Sequence, residues 1–439
     1  MLSAAGRRYG KSLSSLAFAF LLVFTFNAAN VSGQTPARKP TIQEESKVLP
    51  YTLPDPLKME NGETVLDAKT WREKRRPELM QLFEREVYGK IPIGKPENLR
   101  FVLREEKSEA LGGKATRLRV GVLFDGRDAG PGMELLVYLP NKAKGPVPVF
   151  LGLNFEGNYT TTADPDLPLP MHWVPGPKSS DHRAKEANRG KQASRWQYEY
   201  AIDHGYGVAT ACYGEVEADD PELAKAGVHQ LAPAKGGSDW GSLAAWGWAL
   251  SRAFDYLETN SRVDSKRIIL MGHSRLGKAA LWAGARDERF ALVISNDSGA
   301  GGAALSRRIY GETVANLTTS FPHWFCPEFQ KYADHEELCP VDQHELIALI
   351  APRPVLINSA TEDLWADPKG EFLAAAGADP VYRLLGTDGI STKDWPEPSR
   401  ILLSRIGYFL RPGKHDVTRE DWEAYIAFAD HHLKENHGK

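Results

Sequence analysis

"RIILMGHSRLGKAALW", residues 267–282, is the stretch on which the fold of this 439-residue chain turns. "IILM" is a continuous apolar run of strand length, suited to burial on both faces, and "RLGKAALW" has the composition of a helix. Between them stand Gly272, His273 and Ser274. A strand, a Gly-x-Ser turn and a helix in that order lift a serine hydroxyl to the end of a sheet, the arrangement of a nucleophile elbow. The usual pattern has a second glycine two residues after the serine, whereas here Leu276 holds that place and Gly277 comes one later. A serine ahead of a helix is also a preferred N-cap, which is the competing reading of Ser274.

Charge argues against a mere cap. Arg275 and Lys278 put two cations into the first turn of a helix whose N-terminus already carries positive partial charge, which works against helix stability. Residues that oppose local stability point to function. Lys278 is one turn from Ser274, and helical side chains tilt toward the N-terminus, so its ammonium is expected to reach back over a pocket mouth. Arg275 can present a backbone N–H and a guanidinium to developing negative charge, as a tetrahedral oxyanion requires.

Outward from the elbow, continuous apolar runs alternate with helix-like segments from residue 145 onward: "GPVPVFLGLNFEGN" (145–158), "GYGVATACYG" (205–214), "SLAAWGWALSRAFDYLE" (242–258) and "FALVISND" (290–297). That rhythm implies an α/β class with a mostly parallel central sheet. Ahead of it, "ATRLRVGVLF" (115–124) and "MELLVYLP" (133–140) alternate like half-buried antiparallel strands, and "TWREKRRPELMQLFEREVYG" (70–89) is helical in pattern. The polar, Pro/Gly-rich stretch 159–197 is long enough to be a functional loop. No internal repeat is apparent. Residues 34–55 form an extended, proline-punctuated entry segment, and 56–439 are assigned to one catalytic domain.

Residues 1–33 are set apart. "RRYGK" (7–11), the apolar run "LAFAFLLVF" (16–24) and the small residues of "AANVSG" make a secretory signal peptide, with a membrane anchor as the competing assignment. The mature chain is therefore expected in a secreted or periplasmic location, without stable membrane association. Export permits disulfides, and of three cysteines Cys326 and Cys339 are close enough in sequence to pair, leaving Cys212 buried in a strand. A net charge of −3 with no dense basic run in the mature chain excludes nucleic acid as a natural partner.

A serine nucleophile needs a histidine to accept its proton and a carboxylate to orient that histidine. Downstream histidines are His323, His335, His344, His415, His431, His432 and His437. His415, in "RPGKHDV", sits on a glycine-containing turn before the last helix, where a catalytic histidine belongs. His344 opens an apolar helix and suits a structural role, and the pair 431–432 suits a solvated terminal helix. Asp297 in "ISNDSGAGG" and Asp363 in "INSATEDLWADP" both follow strands and compete for the acid, with Asp367 a third choice in the same loop as Asp363. No clustered His/Cys spacing suggests a metal, and the chemistry asks for no cofactor.

The set "GHSRLGK" (272–278), "SGAGGAALSRR" (298–308), "YGET" (310–313), "PHWF" (322–325), "DQHELIALIAPRP" (342–354) and "DLWADP" (363–368) resembles the glucuronoyl esterases of carbohydrate esterase family 15, over about residues 50–435. The resemblance implies an α/β-hydrolase fold with a three-layer αβα sandwich. It also implies hydrolysis of esters between glucuronic acid side groups of glucuronoxylan and lignin alcohols. Residue by residue, it makes Ser274 the nucleophile, Arg275 the oxyanion residue, His415 the general base, Lys278 a sugar-hydroxyl contact, and Glu312 and Trp365 further uronate contacts. Many members carry Glu where this chain has Asp297, and some bacterial members use an acid matching Asp363, so Asp363 is placed first with Asp297 in support. Glu312 can instead simply pair with Lys278, and Trp324 reads as core. An acetyl xylan esterase with the same triad is the alternative activity, a non-catalytic carbohydrate-binding homologue a further one, and a monomer is expected.

Overall fold

The computed structural model describes residues 41–176, 180–232 and 239–434. The signal peptide and His437 lie outside them. Nine strands form one sheet: β1 (Arg100–Ala110), β2 (Ala115–Leu123), β3 (Gly132–Pro140), β4 (Val147–Asn154), β5 (Gly207–Cys212), β6 (Val263–His273), β7 (Leu292–Asn296), β8 (Val355–Ala360) and β9 (Ile406–Arg411). Their spatial order is β1-β2-β3-β5-β4-β6-β7-β8-β9. The first three strands are antiparallel to their neighbours, and β5, β4 and β6 to β9 are mutually parallel. The alternation of apolar runs and helices predicted this mostly parallel sheet, and its arrangement is the α/β-hydrolase fold that the resemblance implied.

Successive residues of each parallel strand point to opposite faces, and both faces are covered. Val149, Leu151, Leu270 and Val293 join one apolar cluster with Trp246, Trp282 and Phe372, from helices Ser242–Leu257, Arg275–Arg286 and Pro368–Leu384. Phe150, Ile269, Ile294 and Leu356 join a second with Ile202, Trp422 and Phe428, from helices Tyr198–Asp203 and Arg419–Leu433. Two cores separated by one sheet make the three layers.

The register carries the chemistry. His273 pairs with Asn296, Asn296 with Asn358 and Asn358 with Phe409, so the last residues of β6 and β7 share one row with residues of β8 and β9 that lie two places before their ends. Ser274, Asp297, Asp363 and His415 all lie just beyond that row, at the carboxyl ends of parallel strands where ligands bind in open α/β sheets. Asp421, on the last helix, locks the row by accepting hydrogen bonds from Asn358 Nδ2 at 2.7 Å and Arg411 Nε at 3.0 Å.

Three expectations are corrected. β2 and β3 are almost wholly buried rather than half-buried, because helix Ser242–Leu257 and loop residue Asp164 cover their faces; the polar alternation survives only because buried Arg117 is paired with Glu105 and Asp164. Cys326 and Cys339 are not bridged: all three cysteines are free and buried, and burial pushes the thiols of Cys326 and Cys339 up to about 11 and about 12. His432 is only partly solvated, its Nε2 lying 3.3 Å from Ser404 O.

Candidate active site

The elbow explains its own displaced glycine. Ser274 adopts φ 57° and ψ −130°, a region that strains any side-chain-bearing residue and that a nucleophile turn imposes. To make that turn the helix backbone folds back onto the strand end: a Cβ on Gly272 would lie 2.1 Å from Leu276 O, and one on Gly277 would lie 3.0 Å from Ser298 Cβ. Glycine is needed at 272 and 277, while Leu276 turns into the core and is 1% exposed. Ser274 stands at the N-cap position, yet its hydroxyl makes no cap hydrogen bond, so the cap does not account for it.

His415 is delivered by a rigid loop. Arg411, at the end of β9, donates to Pro412 O at 2.8 Å, Lys414 O at 2.6 Å and Asp416 O at 3.1 Å, wrapping residues 412–416 around its guanidinium. The loop after β8 is stitched to it by Glu362 N to Gly413 O at 2.8 Å and Gly413 N to Thr361 Oγ1 at 3.0 Å. These contacts set His415 Nδ1 at 2.6 Å from Asp363 Oδ2. With Nδ1 donating to the carboxylate, the ring's lone pair is on Nε2. The His415 ring packs 4.5 Å from that of His273, the residue before Ser274.

Asp297 sits beside this pair but bonds to neither partner. It is 2% exposed, and both its oxygens lack a hydrogen-bond donor among the described residues. The nearest cation, Arg411 Nη2, is 3.8 Å away and is engaged by loop carbonyls. Burial, with the carboxyls of Glu371, Asp363 and Asp421 nearby, pushes the Asp297 carboxyl well above the usual carboxylate range. Asp297, Asp363 and His415 present atoms within 4.8 Å of one another, a spacing a metal ion could use, but the His415–Asp363 hydrogen bond already employs two of them. Asp367 is elsewhere: it caps helix Pro368–Leu384 and pairs with Arg308.

Lys278 does not reach over the mouth as expected. It is 3% exposed, and its three N–H donors are met by Ser298 O at 2.7 Å, Ala300 O at 2.5 Å and Glu312 Oε2 at 2.9 Å. Loop 298–300 is held in turn by buried Glu371, whose Oε1 accepts from Ser298 N and Gly299 N, both at 2.9 Å. Lys278 therefore anchors Glu312, and Glu312 N donates to Trp365 O at 2.8 Å, bringing the "YGET" and "DLWADP" segments together. Trp365 is 40% exposed, a face left to solvent beside that pair. The entry segment braces the same loop, Gly311 N donating to Ile42 O at 2.8 Å. His344 has the structural role expected, its Nε2 bonded to Pro54 O at 2.8 Å.

Arg275 stays at the elbow. Its guanidinium pairs closely with Asp219 and lies 4.7 Å from the Trp324 ring centroid and 5.4 Å from that of Phe321. Asp219 was not foreseen from the sequence. Its partners Arg275, His323 and Trp324 lie 56, 104 and 105 positions away, and only the "PHWF" segment marks two of them.

The family model for glucuronyl esterases of fungi matches residues 226–386. Carbohydrate esterase MZ0003, from an unknown prokaryotic organism, is 54% identical over 401 residues, spanning 89% of this chain and 91% of that protein. A solved structure of a promiscuous CE15 esterase from the marine bacterial metagenome aligns with a TM-score of 0.85 at 53% identity, covering 90% of this chain and 100% of that one. A glucuronoyl esterase from Solibacter usitatus gives a TM-score of 0.84 at 47% identity, over 89% of this chain and 100% of that one.

Proposed function

The chain belongs to carbohydrate esterase family 15, and from that premise we propose that it is a serine esterase that hydrolyses esters of glucuronic acid, the acid being the side group of glucuronoxylan and the alcohol a lignin unit. The observation that carries the reading is a serine held in a strained turn without a capping bond, directly after His273, against whose ring packs, at 4.5 Å, the ring of His415, itself fixed through Nδ1 by Asp363 at 2.6 Å.

In this mechanism His415 Nε2 takes the proton of Ser274 as its Oγ attacks the ester carbonyl carbon. The carbonyl oxygen becomes an oxyanion, stabilised by the backbone N–H and guanidinium of Arg275 at the helix N-terminus. Collapse breaks the bond to the alcohol, which leaves with the proton from His415. Water, deprotonated by His415, then attacks the glucuronoyl-serine and regenerates Ser274. Asp363 orients the imidazole and stabilises its charged form.

An esterified uronate has no carboxylate charge, so recognition rests on hydroxyls and a stacking face. Glu312, fixed through Oε2 by Lys278, can accept from a sugar hydroxyl with its other oxygen, and the exposed face of Trp365 supplies apolar contact. Lys278 contributes indirectly, by holding Glu312 in place. Among the described residues no helix is long and apolar enough to cross a membrane. Export by the signal peptide at 1–33 is part of the proposal, matching a polymeric substrate outside the cell.

Ser274→Ala is expected to reduce kcat on benzyl glucuronate by at least about 10⁴-fold while the protein stays folded. Undiminished turnover overturns the assignment. Running acetylated xylan in parallel distinguishes a glucuronoyl from an acetyl esterase.

A further inference from the structure

Asp219 lies outside the serine, histidine and acid set, yet it is the carboxylate bonded directly to Arg275 and accepts four hydrogen bonds. It follows the short helix Tyr213–Val216 that continues from β5, and its side chain is 3% exposed. Oδ1 accepts from His323 Nε2 at 2.8 Å and Trp324 Nε1 at 2.6 Å; Oδ2 accepts from Tyr213 Oη at 3.1 Å and from Arg275 Nη1. Four donors from three separate segments thus converge on one carboxylate. Burial alone raises such a carboxyl, but the bonds from His323 and Trp324 and the charge of Arg275 outweigh it and hold Asp219 at about 2.

What this cluster fixes is the guanidinium. A free arginine at the first position of a helix swings into water, away from the positive helix end. Here Asp219 ties one end of the guanidinium, and the Trp324 and Phe321 rings lie against it. Nε is buried and has no acceptor among the described residues. One side of the fork is committed to the protein through Nη1, while the side chain stays 29% exposed, which leaves its outer edge to meet an incoming oxygen. Preorganised donors of this kind stabilise a developing charge without reorganising during the reaction.

We propose that Asp219 is a positioning residue for catalysis: it orients Arg275 toward the oxyanion and offsets the cation's repulsion from the helix N-terminus. Its effect is exerted through Arg275 and is realised in the transition state. The inference rests on the reading of Arg275 as the oxyanion residue.

A double-mutant cycle tests both parts separately, with kcat and KM measured on benzyl glucuronate. Arg275→Ala is expected to lower kcat by about 100-fold, the cost of one oxyanion donor. Asp219→Asn is expected to lower kcat by roughly tenfold or more with KM changed less than about twofold, and the double variant to be no slower than Arg275→Ala alone. Formate added to Asp219→Ala is expected to restore part of kcat, which a general loss of packing would not show. Normal kcat in Asp219→Asn, or losses that multiply in the double variant, overturns the positioning role and leaves Arg275 in place. Normal kcat in Arg275→Ala overturns both. Should the Asp219 variants fail to fold, Trp324→Phe decides: it keeps a ring against the guanidinium and deletes one donor to Asp219, so kcat is expected to fall about threefold to tenfold, and an unchanged kcat overturns the proposal.

Discussion

Two buried aspartates lie close to the elbow, and they are opposites. Asp219 accepts four hydrogen bonds, one from the cation Arg275, and is held ionised. Asp297, equally buried, has no donor on either oxygen among the described residues and is pushed toward the protonated form. The same side chain at the same depth thus carries charge in one place and resists it in the other. The difference is made by the donors that the surrounding segments bring, because desolvation penalises both carboxylates alike. Asp363 differs from Asp297 in having a partner, its Oδ2 being bound by His415 Nδ1 at 2.6 Å.

The sharpest way to break the comparison is to remove each acid near His415 in turn. Asp363→Asn is expected to lower kcat on a glucuronate ester by about 10³- to 10⁴-fold, since an amide can no longer hold the imidazole in the right tautomer. Asp297→Asn is expected to change kcat by less than about fivefold, because a neutral side chain replaces a carboxyl that is already inclined to be neutral. A larger loss for Asp297 than for Asp363 exchanges their roles.

Stability should separate the two aspartates next. Asp219 is lowered from 3.8 to about 2, so its ionised form favours the fold above pH 4, by about 2 kcal/mol, and that contribution is lost as pH falls from about 4 toward 2. Asp219→Asn should therefore lower Tm at pH 7, with the deficit shrinking in acid. Asp297 is raised, which reverses the sign: the fold binds a proton that the unfolded chain releases, so its contribution is unfavourable once pH exceeds the ordinary carboxylate value. The smallest expected effect is a Tm for Asp297→Asn equal to or slightly above that of the parent at pH 7, with no gain near pH 3. Calorimetric scans across pH measure both, and a lower Tm for Asp297→Asn at pH 7 would show that its carboxylate is paired after all.

Much of the frame was legible along the chain. The parallel strands β4 to β8 announced themselves as apolar runs, because burial on both faces leaves no room for polar alternation, whereas β9 (Ile406–Arg411) went unread. β1 was missed: "RFVLREEKSEA" is an edge strand whose apolar run is confined to Phe101, Val102 and Leu103, and charged residues fill most of the rest. Lys278 was expected at the mouth because helical tilt sends a side chain toward the N-terminus, yet the carbonyls of Ser298 and Ala300, met only after β7, draw it inward. Cys326 and Cys339 looked like a pair by spacing alone. Each is instead buried as a free thiol, Cys326 with its sulfur 3.6 Å from Arg85 O.

The sequence by itself determined the α/β class, the elbow serine and the turn that bears His415, since those depend on local periodicity, on glycines at tight approaches and on chain order. It could not decide which aspartate would be charged. That depends on how many N–H and O–H groups stand within about 3 Å of a carboxylate, and for Asp219 those donors come from positions up to 105 residues away. Only the folded sheet, by gathering the segments that follow β5, β6 and β7, distributes those donors to Asp219 and withholds them from Asp297.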